Sequence, residues 1–268
     1  MVASGKPGVI GARLLDGVGW IRGPVANSYV LREGGHTYLL DAGFRDNASP
    51  VRLAFRRAGV PLSELTDILL THQHPDHMGG AAILRWMTSA KVACHEMDTP
   101  AVEGRGPRLS PLLVRILFSK HPVQVDRVLK DGDRIGPFRA VGAPGHTLGS
   151  VAFYHEERKI LFSGDAAVTS PRGVSLAAPF SNFDRDTAID SLERLSTLEV
   201  TSLFAGHGRP IVANAGPLLK EAAKRAMKRP VHTWWTLAGP EGLAESHPRP
   251  EDIVPELVRA GDAPRSSS

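Results

Sequence analysis

Between Thr71 and Gly80 the chain reads Thr-His-Gln-His-Pro-Asp-His-Met-Gly-Gly, so three imidazoles and a carboxylate fall within six residues. The stretch follows a short apolar run, Asp67-Ile68-Leu69-Leu70, whose length and branching suit a buried strand. His72 and His74 leave that strand two residues apart, and the period of two turns both rings to one side. Asp76 and His77 then stand where Met78 to Leu84 begins a helix. One His here would read as a helix cap or a polar surface residue. Four ligand-type side chains on a strand-to-helix turn point instead to a metal centre, because neutral imidazole and carboxylate are standard ligands for zinc and similar divalent ions.

Length and composition set the bounds. A chain of 268 residues suits one large domain with a small appendage, here placed at 1–230 and 231–268. With 42% apolar and 22% charged residues, a proper hydrophobic core is expected. The net charge of +4 is scattered except on a C-terminal helix bearing Lys220, Lys224, Arg225, Lys228 and Arg229, which reads as a solvated face. An anionic substrate is permitted, whereas nucleic acid, which calls for a concentrated basic stripe with stacking aromatics, is not expected. Cys94 is the single cysteine, so no intrachain disulfide can form and a reducing cytoplasm is expected. Met1 to Pro7 holds no apolar signal core, and no run approaches the ~18 apolar residues of a membrane span.

Along the chain, strands and helices alternate as in a layered α/β or α+β fold. Val9 to Leu15 reads as a strand. Asp16 to Pro24 reads as a glycine-punctuated loop with Trp20 and Ile21 near its middle, either a flap over substrate or a lid on the core. Asn27–Arg32 and His36–Leu40 form a hairpin across Glu33-Gly34-Gly35, ending in Asp41-Ala42-Gly43. Asp41 is open to reading as the cap of the helix that follows, over 49–57. Lys91–His95 is a short strand in which Cys94 is a small buried thiol. The apolar residues of Pro107–Lys120 fall at helical spacing, for a helix that packs on the core, walls the site or forms a dimer face. A β pattern runs from Arg127 to Phe162, with His155 placed among charges and expected to be solvated. Asp186–Leu198 is an amphipathic helix capped by Asp186 or Thr187, Val200–Ala205 a last strand, and Gly216–Arg229 a last long helix. His146, Asp165 and His207 each follow a strand end, flanked by glycine, which lets loops crowd together.

The ordered set Leu40-Asp41-Ala42-Gly43, Thr71-His-Gln-His-Pro-Asp-His77, Gly145-His146-Thr147, Ser163-Gly164-Asp165 and Gly206-His207-Gly208 closely resembles the metallo-β-lactamase superfamily. The resemblance spans residues 41–207 and implies an αββα sandwich of two mixed sheets with helices outside. It implies His72, His74 and His146 on a first metal, Asp76, His77 and His207 on a second, Asp165 bridging them, and Asp41 holding the ligand loops. Two Zn2+ per chain suit these ligands, with iron or manganese also compatible. No Cys stands at the ligand position of the main antibiotic-resistance lactamases, and no long arm for gripping transfer RNA interrupts the motifs. The motifs look most like glyoxalase II and lactonase-like hydrolases.

The expected activity is therefore hydrolysis of an ester, thioester or lactone by a hydroxide bridging two metals, with Asp76 and Asp165 orienting it and passing its proton on. Trp20, Ile21, Phe180 and Phe183 are candidates for apolar walls around a small acyl substrate. Other readings are a mononuclear iron persulfide dioxygenase of the same superfamily, a β-lactamase or phosphodiester hydrolase, and a scaffold protein on an inactive fold. A homodimer is compatible with the sequence.

Overall fold

The computed structural model describes residues 11–15, 17–44, 48–105 and 121–228, without the side chains of Ala48 and Phe180. Contacts divide the chain between Lys228 and Arg229, and all described residues belong to the first unit. The helix expected over Pro107–Lys120 and the segment 231–268 lie outside the described residues.

Two sheets stack face to face. The first has seven strands in sequence order: β1 (Ala12–Leu15), β2 (Val18–Arg22), β3 (Asn27–Glu33), β4 (His36–Leu40), β5 (Asp67–Leu69), β6 (Lys91–His95) and β7 (Arg127–Leu129). β1 to β4 pair antiparallel and β4 to β7 parallel. The second sheet contains β8 (Arg134–Ile135), β9 (Phe138–Gly142), β10 (Val151–His155), β11 (Ile160–Gly164) and β14 (Ser202–Ala205), ordered β14-β11-β10-β9-β8. A separate hairpin joins β12 (Val168–Ser170) to β13 (Gly173–Ser175). The helices are α1 (Ala48–Arg57), α2 (Pro75–Met78), α3 (Ala81–Thr88), α4 (Thr99–Val102), α5 (Arg185–Ser196) and α6 (Ala215–Lys228).

Period-two alternation explains the layers. Leu39, Ile68, Leu70 and Val92 face outward onto Val51 and Phe55 of α1 and Leu84 of α3. Their neighbours Leu40, Leu69 and Ala93 face inward and meet Phe138, Phe153, Phe162 and Phe204 of the second sheet. The opposite face of that second sheet, with Val141, Ala152, Leu161 and Leu203, is covered by Leu192 and Leu195 of α5 and Leu219 of α6. Strands buried on both faces read as continuous apolar runs, as Ile68-Leu69-Leu70 does. Each such side chain contributes about 1.5–3 kcal/mol by leaving water, and Leu69→Ala would cost about 2–5 kcal/mol. The layers are helix, sheet, sheet, helix, the expected αββα sandwich.

Four local expectations are corrected. Residues 18–22 are not a loop: three glycines suggested mobility, but β2 pairs in register with β3 from Val18↔Leu31 to Arg22↔Asn27. The helix after the histidine cluster starts early, at Pro75, and is split into α2 and α3 where Gly80 N donates to Gly43 O at 3.0 Å instead of back along the helix. α5 is capped by Asp184, whose Oδ1 accepts from Asp186 N at 3.0 Å, rather than by Asp186 or Thr187. His155 is buried, 3.1 Å from the Glu33 carboxylate, since it continues the inward face of Val151 and Phe153.

Strand direction then decides where the loops go. β4 and β5 are parallel, so Asp41 and the His72 segment leave one edge together. β11 and β14 are parallel, delivering Asp165 and His207 side by side. The sheets are tied at that edge by Val151 N to Thr71 O at 2.9 Å and Asn27 N to Gly206 O at 2.7 Å.

Candidate metal centre

At this edge the seven ligand-type residues converge. Nitrogen or oxygen atoms of His72, His74 and His146 lie within 4.8 Å of one another, as do those of His72, His77 and Asp165, and those of Asp76, His77 and His207. Asp165 stands between the halves: its Oδ1 is 3.4 Å from His77 Nε2, and its Oδ2 is 3.4 Å from His146 Nε2 and 3.2 Å from His207 Nε2. His74 Nδ1 and His146 Nε2 are 2.8 Å apart. Gly206 permits this crowding, since a β-carbon there would lie 2.5 Å from Asp165 Oδ1 and 2.6 Å from His77 Cε1.

Three of the outward ring nitrogens are anchored, which turns the other nitrogen of each ring toward the cluster. His77 Nδ1 lies 2.8 Å from Asp41 Oδ2, His72 Nδ1 3.1 Å from Thr71 Oγ1, and His207 Nδ1 3.1 Å from Val25 O. Asp41 is no helix cap. Its carboxylate also accepts from Thr71 N and Thr71 Oγ1, both at 2.8 Å. It reaches both through a left-handed backbone with φ of 57°, a conformation that Asp tolerates better than most residues.

Burial and charge divide the cluster electrostatically. Burial, reinforced by neighbouring imidazoles, holds His72 well below its usual range and His74 down at about 4. Burial likewise lowers His146, against the pull of Asp165. For His77 burial acts downward, but Asp165, Asp41 and Asp76 raise it to about 9. For His207 burial is again overcome, with hydrogen bonds to Asp165 and Asp76 raising it to about 10. Asp165 is held far below the carboxylate range, since His77, His207 and His146 outweigh its burial. Asp76 is lowered too, burial being outweighed by His207 and His77.

The residues fit a divalent cation. His72 Nε2 and Asp165 Oδ1 are buried atoms with no hydrogen-bond partner, an arrangement that is costly unless a cation meets the lone pairs. Three imidazoles form one donor set and two imidazoles with a carboxylate form the other, both of the type that zinc, iron or manganese takes.

The remaining candidates take other places. Ile21 is buried beneath α1 in the outer core. Trp20 packs on the core between the sheets and donates through Nε1 to Asn27 Oδ1 at 2.9 Å. Asn27 in turn donates to Ala205 O and Gly208 O, on either side of His207. Phe183 is 54% exposed, and its amide donates to His146 O at 3.2 Å. The Phe180 side chain lies outside the described residues. Sequence reasoning missed Asn27, Thr71 and Asp98 as partners of the ligand loops. The Thr directly before His72 was the one local signal, because a hydroxyl beside a ligand is a natural ring anchor.

Comparison with known proteins identifies the family. Residues 21–207 match the family model of the metallo-beta-lactamase superfamily. The probable metallo-hydrolase YybB of Bacillus subtilis is 28% identical over 72% of this chain and 85% of its own length. A hydroxyacylglutathione hydrolase of Pseudomonas savastanoi pv. phaseolicola is 34% identical over 55% of this chain, but the match spans 49% of that enzyme. Among solved structures, TTHA1623 in a di-iron-bound form superposes with a TM-score of 0.61 at 30% identity, covering 75% of this chain and 96% of its own. Among the described residues no helix is long and apolar enough to cross a membrane.

Proposed function

Because the chain belongs to the metallo-beta-lactamase superfamily, we propose that it is a dinuclear metal-dependent hydrolase of an ester, thioester or lactone. In this reading His72, His74 and His146 hold one metal, Asp76, His77 and His207 hold the other, and Asp165 serves both. The observation that carries the reading is the division of Asp165 between the two donor sets, within 3.4 Å of His77 and His146 and 3.2 Å of His207. A single-metal site would leave the second donor set, with His77 buried at its base, facing no cation. The thioester is favoured by the hydroxyacylglutathione hydrolase relative, whose match is confined to about half of that enzyme, 49%.

When bound, the metals would supply Lewis acidity and bring the pKa of a water down to about 7. The chain does the rest. His72, His77 and Asp165 are buried while His74, Asp76 and His207 are partly exposed, so substrate meets the cluster from the side of the second group. Asp76 is ionised at neutral pH and 20% exposed, and its Oδ2 faces His77 and His207, which leaves Oδ1 to take a proton from the attacking water and return it to the leaving group. Asp165, buried and ionised, orients that water. Phe183 offers an apolar surface next to His146 for the acyl substituent. Zinc is the expected metal, and the di-iron form of TTHA1623 makes iron the alternative.

The test is to strip the protein of metal, restore zinc or iron, and assay thioesters, lactones and β-lactams. Metal-dependent hydrolysis of a thioester or lactone is expected. One iron per chain with oxygen uptake on a persulfide, and no hydrolysis, would favour the oxidative reading instead.

A further inference from the structure

Asp98 follows β6, leads into α4, and is fully buried. Its Oδ2 accepts from Gln73 N at 2.9 Å and Thr147 Oγ1 at 2.8 Å, while its Oδ1 accepts from Gly149 N at 2.9 Å. The Gln73 side-chain amide adds a longer contact to Oδ1 at 3.4 Å. Gln73 stands between His72 and His74, and Thr147 follows His146. One carboxylate therefore joins a loop from the first sheet to a loop from the second, and those loops carry all three residues of the all-histidine set. The fit is close: a β-carbon on Gly149 would lie 2.4 Å from Asp98 N.

The chemistry of the partners requires an acid. The amides of Gln73 and Gly149 are donors, and so is the Thr147 hydroxyl in this arrangement. A carboxylate is the small side chain with two acceptor atoms and no donor, whereas Asn would set an NH2 against one of these groups. The group is kept although burial raises its pKa, an effect only partly offset by the hydrogen bonds from Thr147, Gln73 and Gly149. The other donor set is held separately, His77 by Asp41 and His207 by Val25 O.

We infer that Asp98 is a positioning residue that sets the spacing of His72 and His74 from His146, and so governs the three-histidine metal site alone. The inference rests on the two-metal reading above. It is tested by zinc competition against a chromogenic chelator in two backgrounds: His207→Ala, which retains the three-histidine set, and His146→Ala, which retains the other. Asp98→Ala should weaken zinc about 10–100-fold in the first background and leave the second within about twofold. Asp98→Asn, which keeps one acceptor, should fall between wild type and Asp98→Ala. Equal weakening in both backgrounds, as general loosening of the fold would give, overturns the inference, and so does no weakening in either. Should Asp98→Ala fail to fold, Thr147→Val decides, since it removes one of the bonds. Weakening confined to the His207→Ala background supports the inference, and any other result overturns it. A wild-type chain that takes up no zinc refutes the metal reading itself, which is a separate outcome.

Discussion

Asp41→Asn perturbs the centre while leaving all seven ligand-type residues unchanged. The residue is buried and takes three donors, Thr71 N, Thr71 Oγ1 and His77 Nδ1, each at 2.8 Å. Asn accepts the left-handed φ of 57° as readily as Asp, so the backbone adds no strain. Its one carbonyl oxygen can replace Oδ2, facing the Thr71 hydroxyl and His77, or Oδ1, facing the Thr71 amide. In either orientation an NH2 confronts a donor. At least one bond to a charged acceptor is lost, at about 1.5–3 kcal/mol. In a domain of this size that lowers Tm by roughly 3–12 °C. The free-energy loss corresponds to about one to two decades in a binding constant, matching the 10–100-fold cost usual for partners of ligating histidines. Calorimetric melting of the metal-free protein and zinc competition read the two numbers. A variant that melts and binds zinc as wild type does would refute the idea that Asp41 holds the ligand loops in place.

Gly206→Ala should be more severe, because its β-carbon would press on Asp165 Oδ1 and His77 Cε1 at about 2.5 Å. We expect loss of bound metal and at least about a 100-fold fall in kcat, the scale of a 1 Å misplacement, read by metal content and turnover. Under the two-metal proposal, acidification should release first the metal assigned to Asp76, His77 and His207. His77 and His207 have raised pKa values, about 9 and about 10, so protons compete for them, whereas His72, His74 and His146 are lowered. Metal content followed from pH 8 to 5 should fall in two steps, and first loss from the three-histidine set would contradict the assignment. In the metal-free chain the same two raised groups stabilise the fold fully below about 6.5. That contribution is lost as pH rises through about 9 and about 10, so the metal-free Tm should decline over that range.

Much of this architecture was legible because its signals are local. The strand before His72 and the histidine spacing after it are neighbours in sequence, as are the glycines beside His146 and His207. Features that depend on closure of the fold were not. Asp98 reads as an unremarked acid after a strand, since its partners Thr147 and Gly149 lie 49 and 51 residues away. Asp16 to Pro24 reads as a loop because glycines dominate the local signal, yet over Val18–Arg22 pairing with β3 overrides that preference. His155 reads as solvated from its charged neighbours, although strict alternation from Val151 and Phe153 turns it inward.

Titration of metal-free protein with zinc, with hydrolysis of a thioester and a lactone followed in the same samples, addresses the centre most directly. Activity should be absent at the start and rise to a plateau as two equivalents bind. Full hydrolysis by the metal-free chain, or no uptake of metal by the wild-type protein, would contradict a shared two-metal cage built on Asp165.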